Sequence, residues 1–393
     1  MKRLISLNRH FYQLKKNLSS KIIMEAPTEP RILFNTTENK QFCEVILNNP
    51  KALNAFDLHM ASALDKQVDQ WHNDGAKVTV FKGAGGKAFC AGGDVKVLYQ
   101  IKKGLVEDPM INKLSDYFRT EFSCDFKVAT MKPLQIAVWD GFVMGGGVGI
   151  SIHAPVKIAT EKSVFGMPEA KIGFFTDVGG GWFLSRLRNN IGIYLGLTSA
   201  TLKGEDVVKA GIANYFVPSD QLEALQKDIM AVTNAGGVSQ KSNEEITKEV
   251  YEVLNRYNQA KEGEIPNEGL INELFSKGSV DEIYKAIELS DVNKEFTLRT
   301  LKQLDGNSPL SLKVIYEQIT RHKDITISDA FKSDFRTASV FMEGIDFFEG
   351  VRCLLVDRGD KPGWEFDNIE KVGKEEVEKY FKALDNDFVE LDI

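Results

Sequence analysis

The chain has 393 residues, 43% of them hydrophobic, and a formal charge of −7. That length can form two or three structural units around a large core, and the acidic balance argues against a nucleic-acid binder, whose affinity rests on basic surface. The four cysteines, Cys43, Cys90, Cys124 and Cys353, are scattered, with no CxxC pair and no Cys/His group at metal spacing; a reducing compartment and no structural zinc are expected, and no apolar run of about 18 residues marks a membrane span.

Residues 1–24 carry six Lys or Arg, no Asp or Glu, and apolar residues at helical spacing, the composition of a mitochondrial presequence. Arg31 to Asn48 has the pattern of a hairpin, with strand-like runs Ile32 to Asn35 and Phe42 to Leu47 around polar TTENKQ. Ala55 to Trp71 reads as a helix, and Val78 to Phe81 as a short strand that enters the glycine turn GAGGKAFCAGGD. A helix over Val95 to Lys102 follows, with Asp94 as its expected cap.

Pro109 to Phe126 has a helical apolar stripe, and Glu121 shares that face with Tyr117 and Phe118. A carboxylate turned inward needs a partner or a task; pairing with Arg119 or Lys127 would satisfy the first requirement. The apolar run Leu134 to Trp139 then meets Asp140-Gly141 and three glycines, 145 to 147, ahead of an apolar segment with helical character. Glycines shield no peptide N–H, and a helix start leaves several unpaired, so the triplet suits either an anion or close packing on a strand.

The order strand, glycine turn, helix start thus occurs twice, at 78–95 and 134–150. If the strands are parallel, two peptide N–H groups can be aimed at one point, with Gly93 and one of Gly145 to Gly147 as donors. Beyond strand Val156 to Ala159, Pro168 suits the first turn of a short helix and puts Glu169 at its start. Asp177 precedes a further glycine triplet. Taken singly, these two acids also fit a first-turn carboxylate and a helix cap.

Residues 218–393 are mainly helix-patterned, with loops at Asn234 to Asn243 and Glu262 to Glu268 and a dense apolar helical stretch over Ile327 to Leu355. This half reads as support, lid or partner surface for a core over residues 30–217. Three alternative motifs fail. GAGGKA has too few residues between Gly83 and Gly86 for a Walker loop. A dinucleotide fingerprint lacks its following helix in the first turn and its last glycine, at Ile150, in the second. A serine-hydrolase elbow breaks at His153, which sits on an apolar segment as a core residue.

KAFCAGGD (87–94), DGFVMGGGVGISIH (140–153), FGMPEAKIGFFTDVGGGWFLSRL (165–187) and FFEGVRCLLVDRGDKPGW (347–364) together resemble the enoyl-CoA hydratase/isomerase (crotonase) superfamily, and within it the branch of acyl-CoA thioester hydrolases. The resemblance runs from about Arg31 into the C-terminal region. It implies an α/β fold, a spiral of repeated ββα units followed by a helical C-terminal region. It also implies an oxyanion hole from the Gly93 and Gly146 N–H groups, with Glu121, Glu169 and Asp177 as the carboxylates that meet substrate. Catalysis would then fall to Glu169, Asp177, Gly93 and Gly146, and substrate contacts to Glu121, Gly146, Glu169 and Asp177.

Hydratases carry one catalytic glutamate where this chain has Gly149, while Asp177 stands where they carry a small residue. Thr176 departs from the hydrolase pattern, which has proline there. The implied reaction is hydrolysis of a short β-hydroxyacyl-CoA, with 3-hydroxyisobutyryl-CoA of valine catabolism the first candidate. No cofactor or metal is expected, since CoA is part of the substrate. The expected setting is the mitochondrial matrix, with no membrane or nucleic-acid partner and with scope for a homo-oligomer. A hydratase or isomerase, and a non-catalytic homologue associated with the mitochondrial ribosome, are the rival readings.

Overall fold

The computed structural model describes residues 22–24, 27–234, 241–384 and 388–393. Most of the presequence-like stretch, residues 1–21, lies outside the described residues. A six-stranded sheet runs in the order Tyr215–Phe216, Val156–Ala159, Leu134–Trp139, Val78–Gly83, Phe42–Leu47, Ile32–Thr36. All its pairs are parallel except the outermost hairpin of Ile32–Thr36 with Phe42–Leu47. A second sheet orders Thr201–Lys203, Val164–Gly166, Phe142–Met144 and Ala88–Cys90. There Thr201–Lys203 alone is antiparallel.

The two sheets arise from one repeated unit, a strand in the large sheet, a short strand in the small one, then a helical turn. Val78–Gly83, Ala88–Cys90 and Lys96–Lys102 form one unit; Leu134–Trp139, Phe142–Met144 and Gly146–Gly149 the next; Val156–Ala159, Val164–Gly166 and Gly180–Leu184 a third. The expected spiral of ββα units is therefore present. Strand side chains alternate between two buried faces, as parallel sheets require. Phe42, Val78, Val80, Leu134, Ile136, Val156 and Ile158 pack with residues of the helices Leu222–Asn234 and Asn243–Tyr257. Val45, Leu47, Phe81, Ala137, Trp139 and Ala159 join the main core.

Several element boundaries shift from the sequence reading. The first helix is Leu58–Asp74, capped by Asp57, whose carboxylate accepts the Met60 N–H at 2.9 Å. The next begins at Lys96 with Val95 in the cap position, one residue later than expected. The stripe after Pro109 becomes helix only from Ser115 to Ala129. The helix after the glycine triplet is a single turn, Gly146–Gly149. The apolar stretch from Ile327 breaks into Ile327–Phe341, Asp346–Val351 and a π-helical turn, Arg352–Val356.

The helical half packs directly on the core. Arg188 forks onto Glu268, Nε to Oε1 at 2.6 Å and Nη2 to Oε2 at 2.8 Å. Gln318 accepts the Thr176 hydroxyl at 2.8 Å and donates from Nε2 to the Thr176 carbonyl and to Asp334 Oδ1. Asp334 Oδ2 in turn accepts the Gly179 N–H at 2.8 Å. The loop that carries Asp177 is thus gripped on both sides, and Thr176, in the place of the expected proline, supplies an anchor that proline lacks.

Candidate active site

Strands Val78–Gly83 and Leu134–Trp139 are parallel neighbours, so the two glycine turns that follow them come together. A methyl group built onto Gly146 would lie 3.2 Å from the Gly93 nitrogen and 2.5 Å from Glu121 Oε1. Only glycine fits so close an approach. Among the described residues, neither the Gly93 nor the Gly146 peptide N–H has a partner within the protein. Gly93 is held by its neighbours: Phe56 N–H donates to the Gly92 carbonyl at 2.9 Å, and Asp94 N–H to the Phe56 carbonyl at 2.8 Å. The Tyr117 hydroxyl backs the turn, 3.0 Å from a methyl built on Gly93.

Gly145 has φ 47° and ψ −123°, a conformation that side chains resist. A methyl there would sit 3.1 Å from Glu169 Oε1. Glu169 opens the 3-10 turn Glu169–Ile172 behind Pro168. Its Oε2 is buried with no hydrogen-bond partner. Glu121 and Glu169 therefore flank the glycine pair from two sides, one from the Ser115–Ala129 helix and one from the 3-10 turn inside the third repeat, between its second strand and its helix.

Asp177 completes the group on a strained loop. Val178, next to it, has φ 54°, a rare conformation for a β-branched residue and of a kind that clusters at functional sites. Glu121, Glu169 and Asp177 are 3, 5 and 7% exposed. Burial pushes the Glu121 carboxyl up to about 8. Burial, and then the charge of Glu121, pushes Glu169 up to about 8 against the pull of its own N–H. Asp177 is held well above the usual carboxylate range by burial, then by Glu169 and Glu121. No ion pair to Arg119 or Lys127 quenches Glu121: Arg119 donates to the Glu390 carbonyl, and Lys127 pairs with Asp65 and Asp69.

Other candidate groups fall away. His153 is enclosed between Trp182 and Phe331, and burial pulls it down to about 4, as a core histidine. The Ser151 hydroxyl accepts from Trp139 Nε1 and donates to the Gly147 carbonyl at 2.6 Å. Burial pushes the Cys90 thiol up to about 12, so it supplies no thiolate near neutral pH. A cavity of about 660 Å³ lies between the Leu222–Asn234 helix and the far face of the large sheet, lined by Val80, Ile136 and Ile158; Glu121, Glu169 and Asp177 do not line it.

The sequence reading missed two buried acids of the same neighbourhood. Asp334, pushed up to about 7 by burial, holds the Asp177 loop; its distance in sequence hid it. Asp125 is fully buried, and neither of its oxygens has a partner. It lies four residues after Glu121, so the same helical spacing that exposed Glu121 would have found it.

A repeated ββα spiral with unpaired glycine N–H groups facing buried carboxylates defines a class of oxyanion-stabilising acyl-CoA enzymes. The enoyl-CoA hydratase/isomerase family model matches residues 42–381, and the chain belongs to that family. Within it, the chain is similar to proteins named 3-hydroxyisobutyryl-CoA hydrolase, mitochondrial. The Dictyostelium discoideum protein is 39% identical over 98% of both chains, and the human one 36% identical over 86% of both. Among solved structures, a carnitinyl-CoA dehydratase from Mycobacterium thermoresistibile superposes with a TM-score of 0.79 at 26% identity, covering 93% of this chain and 99% of that one. An enoyl-CoA hydratase from Rhodobacter sphaeroides gives 0.75 at 27% identity, over 90% and 98%.

Proposed function

We propose that this chain hydrolyses a short β-hydroxyacyl-CoA thioester, 3-hydroxyisobutyryl-CoA before others, releasing CoA and the free hydroxy acid. The observation that carries the reading is the juxtaposition of two unpaired peptide N–H groups with the Glu169 carboxyl, whose Oε2 has no partner. The names of the relatives supply the acyl group. A hydratase would need a second carboxylate on residue 149. A methyl on Gly149 would already lie 2.5 Å from Asp125 Oδ2 and 2.8 Å from Val178 Cβ, so the room for that side chain is taken.

In the reaction, the thioester carbonyl oxygen accepts from Gly93 and Gly146 N–H as negative charge develops on it. Ionised Glu169 supplies the electron pair, by one of two routes. It attacks the carbonyl carbon, expelling CoA thiolate and leaving a mixed anhydride that water opens; or it takes a proton from the water that attacks. Asp177 and Glu121 orient Glu169, and burial together with the charge of Glu121 raises its pKa toward the working range, where a base is most effective. Both routes end in the same products: the acid, and CoA that takes up the released proton.

A panel of CoA thioesters with free thiol as readout tests the reading, and selective turnover of crotonyl-CoA with no thiol release would replace it by a hydratase. Turnover in heavy-oxygen water separates the two routes, because only the anhydride route puts label into Glu169. The mitochondrial names of the relatives and the basic N-terminal segment together support a matrix enzyme, a reading that import assays with and without residues 1–24 would test. A ribosome-associated role would require co-sedimentation with ribosomal subunits and no thioesterase activity.

A further inference from the structure

Two helical turns run side by side at this site, and one presents two carboxyls to two glycines of the other. Glu121 Oε1 lies 2.5 Å from a methyl built on Gly146, and Asp125 Oδ2 lies 2.5 Å from one built on Gly149. Glu121 and Asp125 are one turn apart on the Ser115–Ala129 helix, and Gly146 and Gly149 are three apart in their own turn. The second pair is therefore about one helical turn, roughly 5 Å, from the oxyanion hole. Val178 Cβ approaches the same point at 2.8 Å, which places the Asp177 backbone on its other side.

Asp125 is 0% exposed, with neither oxygen bonded. A buried carboxyl in that state costs stability unless something bonds to it. Asp125 feels the charge of Glu121, and Asp177 feels that of Asp125, so it belongs to the same group of acids. On a β-hydroxyacyl thioester whose carbonyl oxygen meets Gly93 and Gly146, the hydroxyl sits two carbons on from the carbonyl, at the depth of the second pair.

We propose that Asp125 is a specificity-determining residue: its carboxyl, in the room left by the absent side chain of Gly149, hydrogen-bonds the substrate's β-hydroxyl and selects hydroxylated acyl groups over plain ones. This rests on the thioester-hydrolase reading and deepens it. The carboxyl works as a neutral hydrogen-bonding group, and the Asn amide can do the same. Nothing is transferred to or from it.

The test uses the full chain and two probes, 3-hydroxyisobutyryl-CoA and isobutyryl-CoA, with thiol release followed for each. The ratio of kcat/KM between them is the readout, because loss of fold lowers both alike whereas loss of the hydroxyl contact lowers the ratio. Asp125→Ala should cut the ratio by about tenfold or more, as expected when a built partner for a hydroxyl is removed. Asp125→Asn should restore it to within about threefold of the unaltered protein. Asp125→Leu carries the same expectation as Ala and serves if the Ala variant does not fold. A ratio kept within about twofold in folded Ala or Leu variants overturns the assignment, as does an unaltered protein that handles both thioesters equally. An unaltered protein that hydrolyses neither overturns the thioesterase reading itself and the assignment with it.

Discussion

Glu169 and Glu268 are both buried, and they have opposite surroundings. Glu268, 2% exposed, receives the Arg188 fork, Asn189 Nδ2 at 2.7 Å and the Ile265 N–H at 2.9 Å. Despite the cost of burial, those bonds hold its carboxyl below the ordinary range. Glu169, 5% exposed, leaves one oxygen without a partner and is pushed up to about 8. The first is a fastening between the core and the helical half. The second is kept unsatisfied, at a cost in stability, which is the arrangement that a reacting group requires.

That contrast breaks if both residues respond alike to substitution. Glu169→Gln should lower kcat by about 10²–10⁴-fold, the usual worth of a positioned acid or base, while the protein still binds CoA; normal turnover would remove Glu169 from the chemistry. Gly146→Ala puts a methyl 2.5 Å from Glu121 Oε1 and 3.2 Å from the Gly93 nitrogen. It should cost about 10²–10³-fold in kcat, as for one lost oxyanion donor, read by steady-state kinetics. Glu268→Ala should do the reverse. It should lower unfolding free energy by about 2–3 kcal/mol, the scale of buried charged hydrogen bonds, and leave kcat near its original value in denaturant-titrated, folded protein.

The smallest effect is on the pH dependence of stability. Glu121 and Glu169 go from an ordinary 4.5 in the unfolded chain to about 8 when folded, so the native state binds more protons across that window. Their stabilising contribution is complete below about 4.5 and is lost as pH rises toward about 8. Glu268 has the opposite sign: its contribution is present above 4.5 and is lost as pH falls through its lowered folded value. Melting temperatures between pH 5 and 8 should therefore decline less in Glu169→Gln than in the unaltered protein; an equal or steeper decline would show that Glu169 is not held neutral.

Much of the site was legible in sequence because it is written locally. Gly93 and Gly146 follow strands in a repeated order, and Glu121 reveals itself by sharing a stripe with Tyr117 and Phe118. Glu169 and Asp177 stand beside proline and glycine punctuation, and the structure sets Glu121 and Glu169 against the glycine turns, with Asp177 near enough to feel the charge of both. Boundaries were less legible. Ile327 to Leu355 reads as one apolar helix, but the chain turns at Met342 to Ile345 so that Phe341 and Phe347 both pack on Phe174, and periodicity carries no signal for such a bend.

The sequence by itself determined the twice-repeated order of strand, glycine turn and helix start, the absence of a side chain at residue 149 and the acids available, because each depends on residues close in the chain; the ββα spiral followed only from the family resemblance. Tertiary structure decided which acids are satisfied. Glu268 meets Arg188 across 80 residues, Asp334 steadies a loop 155 residues away, and Asp125 is enclosed beside Gly149 with neither oxygen bonded. A carboxyl's pKa depends on what surrounds it in space, and that is set by how the sheets and the helical half close on one another.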